Sequence, residues 1–180
     1  MRKFFDSWIG TVIIAVVLTL IVRFYVAQPF IVRGASMEPN FEDGDYLIVD
    51  ELSYAIRQPE RGEVIVFHYP QDPKQFFIKR IIGLPTETIV LQNGRISITR
   101  DGNSFVFEEP YLDRAAEQNT GFYTFTLGPD EYMVLGDNRG ESSDSRMWGK
   151  LEEHFIVGRA MIRLWPLQGI TLIPKTQTTR

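Results

Sequence analysis

Cysteine is absent from the 180 residues and histidine occurs only twice. The first absence excludes disulfides, zinc–thiolate centres and a cysteine nucleophile, and it leaves the redox compartment unread. With His68 and His154 alone, a histidine-rich metal site is excluded too. An excess of basic charge is also missing: 19 Lys and Arg face 23 Asp and Glu, for a net charge of −4. Phosphate binding needs a basic face, so nucleic acid is not the expected partner. Internal repeats and low-complexity tracts are lacking. With 44% hydrophobic and 23% charged residues, the composition excludes wholesale disorder and fibrous or collagen-like structure. The length suits one compact domain plus an accessory segment.

What is present begins with an apolar run. No residue from Ser7 to Val22 is charged, and most are Ile, Val, Leu and Ala. Those sixteen residues would rise about 24 Å as a helix, short of a hydrocarbon core of about 30 Å. Arg23 interrupts, but its long stem can carry the guanidinium outward, and Phe24 to Ala27 extend the run. Trp8 and Tyr25 suit the two interfaces. The expectation is an anchor at residues 1–28 holding one uncleaved transmembrane helix over about 7–27. Two alternatives fit less well. A leader cleaved after Ala27 would put the bulky Tyr25 three residues before the cut, where a small side chain is needed. A buried core helix has no need to be apolar on every face. Arg2 and Lys3 precede the run, while Arg23 and Arg33 follow it, so composition leaves the orientation open. The later apolar stretch Phe155–Ile173 is disqualified as a span by Arg159, Arg163 and Pro166.

Residues 29–180 carry 16 basic and 22 acidic side chains, a balance unlike that of a polybasic membrane binder. Their pattern is β-rich. Short runs dense in β-branched and aromatic residues fall at Tyr46–Val49, Glu63–Tyr69, Phe76–Ile82, Thr88–Leu91, Phe122–Leu127, Glu131–Leu135 and Ile156–Trp165. Turn residues separate them, and Asn93-Gly94 between Ile89–Gln92 and Arg95–Thr99 predicts a two-residue hairpin. Helix is scarce: Ala115–Asn119 and Lys150–His154 suit short turns at most. The expected fold is mostly β, a coiled antiparallel sheet or partly closed barrel behind the helix. A small β-hairpin lobe at about 83–120 is expected beside it.

Three places in this domain invite chemistry. Ser36 lies in Arg33-Gly34-Ala35-Ser36-Met37-Glu38-Pro39, where small neighbours leave the backbone open to an approaching chain. A serine beside a proline is also an ordinary turn or cap residue. Lys79 lies in Gln75-Phe76-Phe77-Ile78-Lys79-Arg80-Ile81-Ile82, where period two sets Phe77, Lys79 and Ile81 on one face. Its amine either snorkels to solvent or is held among apolar groups that disfavour the ammonium. In the second case it can serve as a general base for a serine hydroxyl. The polar segment Gly136–Gly149 reads as a structural turn or a weak cation loop, and its spacing does not fit a calcium loop. His68 sits in a strand-like run and His154 in a polar turn, with no serine elbow or evident carboxylate beside either, so a histidine-dependent triad is disfavoured.

Taken together, these segments resemble the type I signal peptidases, membrane-anchored Ser-Lys endopeptidases. The matching residues are Ser36-Met37-x-Pro39, Gly44-Asp45 leading into Tyr46–Val49, and Lys79-Arg80-Ile81-Ile82-Gly83-Leu84-Pro85. Gly136-Asp137-Asn138-Arg139 follows, with Ser142, Asp144, Ser145, Arg146 and Gly149. The resemblance implies removal of signal peptides from secretory preproteins, after small residues at the −1 and −3 positions. It implies Ser36 as nucleophile, with its backbone N–H as an oxyanion-hole donor, and Lys79 as general base. Ser142 would hydrogen-bond the Lys79 amine, and Asp144 with Arg146 would form a structural ion pair. No cofactor or metal is implied. The amino terminus would lie on the cytoplasmic or stromal side of a plasma or thylakoid membrane, with the peptidase domain across the bilayer. Two departures stand out. Gly34 occupies a position where some members carry a second serine whose hydroxyl completes the oxyanion hole, and Thr86-Glu87 replaces a Gly-Asp pair after Leu84-Pro85.

Ser36 falls about nine residues past the expected span, near the membrane surface, so a substrate held by its own apolar helix would present its cleavage region at the same height. The segment to be cut would add as an extended strand beside Phe30–Arg33 and Phe76–Ile82. Phe30, Val32, Met37, Phe41, Phe77 and Ile78 are the candidate pocket residues. One rival reading is a membrane-tethered β-domain that binds extracytoplasmic peptides without cutting them. Another is a different Ser-Lys hydrolase of the self-cleaving repressor kind, although the chain has no recognition-helix module.

Overall fold

A computed structural model describes residues 8–21, 27–112, 121–166 and 169–173. The first element of the described residues is α1, Trp8–Ile21, fourteen residues with no charge in its first or last turn. Trp8, Ile9, Val12, Ile13, Val16 and Val17 of this helix are exposed. At 1.5 Å per residue it rises about 21 Å, and among the described residues no helix is long and apolar enough to cross a membrane. Ser7 and residues 22–26 of the expected span lie outside the described residues, as does the turn expected at Ala115–Asn119.

The rest is built mainly from antiparallel strands, with a four-residue helix α2 (Ser53–Ile56) after the second of them. The large sheet takes β1 (Ala27–Ile31), β2 (Tyr46–Asp50), β3 (Val64–Tyr69), β4 (Asp72–Gly83), β9 (Glu131–Leu135), β10 (Leu151–Glu152), β11 (Ile156–Trp165) and β12 (Thr171–Leu172). Its order is β1-β2-β11-β3-β4-β9-β10, with β12 on β11. The small sheet takes β5 (Thr88–Gln92), β6 (Arg95–Arg100), β7 (Asn103–Phe107) and β8 (Phe122–Thr126), in the order β7-β6-β5-β8. The Asn93-Gly94 hairpin forms as the sequence predicts: Gln92 faces Arg95, and both turn residues have positive φ, 49° and 76°. A second hairpin, with Asp101-Gly102 at its turn, adds β7, which the strand pattern does not reveal. The stretch expected as a turn at Lys150–His154 supplies β10 and part of a 3₁₀ turn, Glu153–Phe155.

Among the described residues no barrel closes, so of the two expected forms the open antiparallel sheet describes the chain better. β9 covers only Arg80–Gly83 of the long strand β4, and β1 pairs with β2 alone. Between them, where backbone bonds would seal a barrel, stand side chains and a cavity. Phe30 meets Phe76 edge-on there, with centroids 5.3 Å apart.

Strand alternation divides the core. On β3, Val64 and Val66 join Val32, Met37, Phe41, Leu47, Val49, Ile78 and Ala160. Ile65 and Phe67 turn to the opposite layer with Ile81, Tyr132, Val134 and Leu151. A third cluster ties the sheets together, as Ile82, Met133 and Leu135 pack against Ile89, Leu91, Ile96, Ile98 and Phe107. Each such side chain contributes roughly 1.5–3 kcal/mol on burial, so β4, which feeds all three clusters, is held firmly. That firmness is what fixes Lys79.

Candidate active site

Ser36 sits in a tight turn just after β1. The turn is pinned at its entrance, where Val32 N–H donates to Asp45 O (2.9 Å) and Gly44 N–H to Val32 O (3.0 Å). Gly34, at φ +84°, donates its N–H to Asp43 Oδ1 (2.7 Å). A side chain at this left-handed position would be strained. Beyond Ser36, Met37 and Phe41 plunge into the core with 0% and 3% of their surface exposed. They anchor the turn from beneath.

β4 brings Lys79 to the same point. Its amine donates to Ser36 Oγ (2.7 Å) and to Ile78 O (2.8 Å), and lies 5.3 Å from the centre of the Phe77 ring. Phe77 in turn stacks on Tyr69, with centroids 4.4 Å apart. Only 4% of Lys79 is exposed. Burial pulls its pKa from the ordinary lysine value down to about 8, against the upward pull of the Asp144 and Asp137 carboxylates.

The third wall is the loop after β9. Asp144 is fully buried and holds Arg146 in a two-pronged pair, Nε to Oδ1 and Nη2 to Oδ2, each 2.8 Å. The same carboxylate accepts Gly136 N–H (3.0 Å) and, from the start of the four-residue helix α3 (Ser145–Trp148), Arg146 N–H (3.2 Å). Gly136 is where the loop touches the serine turn. A methyl group there would lie 2.1 Å from Ser142 Oγ and 2.4 Å from Ser36 O, distances no packed atom tolerates. Ser142 departs from the sequence expectation. Its Oγ is buried without a hydrogen-bond partner among the described residues, while the Lys79 amine directs its two bonds to Ser36 and Ile78. No hydrogen bond joins Ser142 and Lys79.

Several contributors went unseen in the sequence. Arg80 clasps both Asp137 oxygens (2.8 and 2.6 Å), and Asn40 Nδ2 donates to the same carboxylate and to Tyr111 O, each at 2.9 Å. Arg139 pairs with Glu109 inside the protein. Asn138 reaches back to the serine turn, with Nδ2 3.1 Å from Ala35 O and its N–H 3.1 Å from Ser36 O. The cation pattern of β4 flags Arg80, but nothing local names its partner, 57 residues on.

Ser36 and Lys79 open onto a cavity of about 640 Å³ between β1 and β4. Four of the six expected pocket residues line it: Phe30, Val32, Phe77 and Ile78. Met37 and Phe41 do not, because they serve as core anchors. Ile31, Leu47, Val66 and Phe76 complete the apolar wall, with Arg33, Gln75, Glu141 and Ser143 as its polar members. Neither histidine reaches it: His68 Nδ1 lies 2.7 Å from Pro73 O, and His154 is exposed beside Glu152. Among the described residues, no group of three or more His, Asp or Glu side chains is arranged to hold a metal ion.

A mostly β chain with a buried lysine against a serine at the floor of an apolar cleft has a counterpart among known proteins. Residues 5–165 match the family described as signal peptidase, peptidase S26, and the chain belongs to it; it is a peptidase. At the level of single proteins it is similar to a signal peptidase I of Leptolyngbya laminosa, 39% identical over 88% of this chain and 79% of that one. A probable signal peptidase I-2 of Synechocystis is 37% identical over 93% and 78%. Signal peptidase IB of Staphylococcus aureus is 31% identical over 92% of each. Among solved structures, a signal peptidase I from Enterococcus faecalis superposes with a TM-score of 0.50 at 32% identity, covering 59% of this chain and 99% of the other.

Proposed function

We propose that the protein is a membrane-anchored endopeptidase that removes amino-terminal signal peptides from exported preproteins, with Ser36 as nucleophile and Lys79 as general base. One observation carries the reading: a buried, base-poised amine 2.7 Å from a hydroxyl that faces an apolar cleft. The neutral amine takes the Ser36 proton as Oγ attacks the scissile carbonyl, and the new oxyanion meets the Ser36 N–H. The resulting ammonium then protonates the departing amine, leaving an acyl-Ser36 ester. A water molecule, deprotonated in its turn by Lys79, hydrolyses that ester and restores the pair. The Ser36 backbone supplies the oxyanion donor, since Gly34 has no hydroxyl to offer.

The substrate strand lies between the open edges of β1 and β4 and exchanges backbone hydrogen bonds with them. Alternate side chains, those at −1 and −3, then face the apolar cavity, which favours small residues. The exposed apolar surface of α1 supports its role as part of a single span over about 7–27. The peptidase domain starts at β1, two residues before the expected boundary at residue 29, and carries its small lobe at about 83–120. The amino terminus lies in the cytoplasm or stroma and the peptidase domain on the far side of the membrane. Ser142 hydrogen-bonds the Lys79 amine in the working enzyme, and the Asp144–Arg146 pair keeps the loop in place.

The test uses full-length protein in detergent with a preprotein substrate. Ser36→Ala and Lys79→Arg are each expected to abolish cleavage while leaving circular dichroism unchanged, because guanidinium does not deprotonate in the working range. Substantial turnover by either variant overturns the Ser-Lys assignment.

A further inference from the structure

We infer that Asn138 is a positioning residue that aims the Ser36 N–H at the developing oxyanion. The inference rests on the Ser-Lys reading above and goes beyond it. In a trans peptide the carbonyl oxygen and the following N–H point in opposite directions from one rigid plane. Ala35 O and Ser36 N–H belong to the same plane, so whatever holds the oxygen also aims the N–H. That oxygen takes the Glu38 N–H of its own turn at 3.1 Å, and Asn138 Nδ2 donates to it from outside the turn, also at 3.1 Å. The Asn138 backbone N–H donates to Ser36 O, also at 3.1 Å, and so holds the next peptide plane. Both planes flanking the nucleophile are therefore gripped from a single residue.

The grip is itself braced. Asp137, the preceding residue, is clasped by Arg80 and by Asn40. Glu141 N–H donates to Asn138 O at 3.2 Å. Gly136 lets the loop come close enough for the contact to form. Among the described residues the Ser36 N–H makes no internal hydrogen bond, so it is left for a ligand. Hydrogen bonding to the carbonyl side of a peptide also polarises its N–H, which strengthens the donor. Because position 34 is glycine and offers no hydroxyl, this N–H carries a larger share of the stabilisation, and its direction matters correspondingly.

Asn138→Asp keeps the shape and the backbone N–H but removes the side-chain donor; Asn138→Ala removes the side chain. Each is prepared as full-length protein and compared with wild type in kcat, KM and affinity for two peptide ligands. One is a peptide aldehyde, to whose carbonyl carbon Ser36 Oγ adds while its proton passes to Lys79, placing an oxyanion in the hole. The other is the same peptide with an uncleavable reduced bond at the cut. The expected result is a fall in kcat of about tenfold to a hundredfold, with an equal loss of aldehyde affinity. Binding of the reduced peptide and KM should stay near wild type in both variants, and so should the pH midpoint of kcat/KM in Asn138→Ala, which adds no charge beside Lys79.

Wild-type kcat and aldehyde affinity in the Asp variant overturn the inference. So does a loss of reduced-peptide affinity that matches the loss of kcat, or a displaced pH midpoint in the uncharged Ala variant, since either means that the residue acts through the cleft or through Lys79. If Asn138→Ala fails to fold by circular dichroism, the Asp variant alone decides. Ser36→Ala and Lys79→Arg run alongside. Turnover by either sinks the Ser-Lys reading, whereas two dead variants beside wild-type behaviour at position 138 sink this inference alone.

Discussion

At the scale of single residues, Lys79 shows how surroundings make a common side chain easier to deprotonate. Burial lowers its pKa to about 8 although Asp144 and Asp137 pull the other way. Roughly one amine in ten is then neutral at pH 7. Below about pH 8 the amine carries a proton and cannot accept one from Ser36, so kcat/KM should climb nearly tenfold per pH unit and level off above that point. A rate profile flat from pH 6 to 9 would contradict the base role. The oddity of a lysine among apolar neighbours is legible from the sequence because strand alternation is local. Met37 and Phe41 teach the converse: they resemble cleft residues in type and position, yet they are wholly or almost wholly buried as anchors. Apolar residues beside a nucleophile can face the ligand or the core, and only the packing chooses.

Elements decide how close the parts may come. The loop from Gly136 to Gly149 is tied by Asp144 to Gly136 N–H at one end and to α3 at the other, and it meets the serine turn where Gly136 has no side chain. Gly136→Ala should push Ser142 or the Ser36 carbonyl aside, lower stability by roughly 1–3 kcal/mol and reduce turnover at least about a hundredfold. Thermal melting and a cleavage assay would check both effects. Near-normal turnover would mean that the loop relaxes. The hairpin at Asn93-Gly94 is readable because two turn residues with positive φ dictate it. β7 is not readable, since Asn103–Val106 are all exposed at the sheet edge and leave no alternation to detect.

For the whole molecule, the proposed function assigns attachment and catalysis to separate stretches of chain. Removing residues 1–26, which leaves β1 whole, should leave a folded β domain that cuts a short soluble peptide at close to the full-length rate. It should lose about 10²-fold or more on a membrane-embedded preprotein, because shared confinement is gone. Parallel assays on the two substrates would check this, and equal losses on both would count against separable roles. The sequence by itself determined the apolar leader, most of the strands, one hairpin and the residue types of the site, all of which depend on neighbours a few positions apart. Tertiary structure decided what meets what. Ser36 finds Lys79 across 43 residues, Arg80 finds Asp137 across 57, and Asn138 finds Ala35 across 103. Such meetings depend on strand order and register, which arise from the joint packing of three core clusters and are written in no single segment.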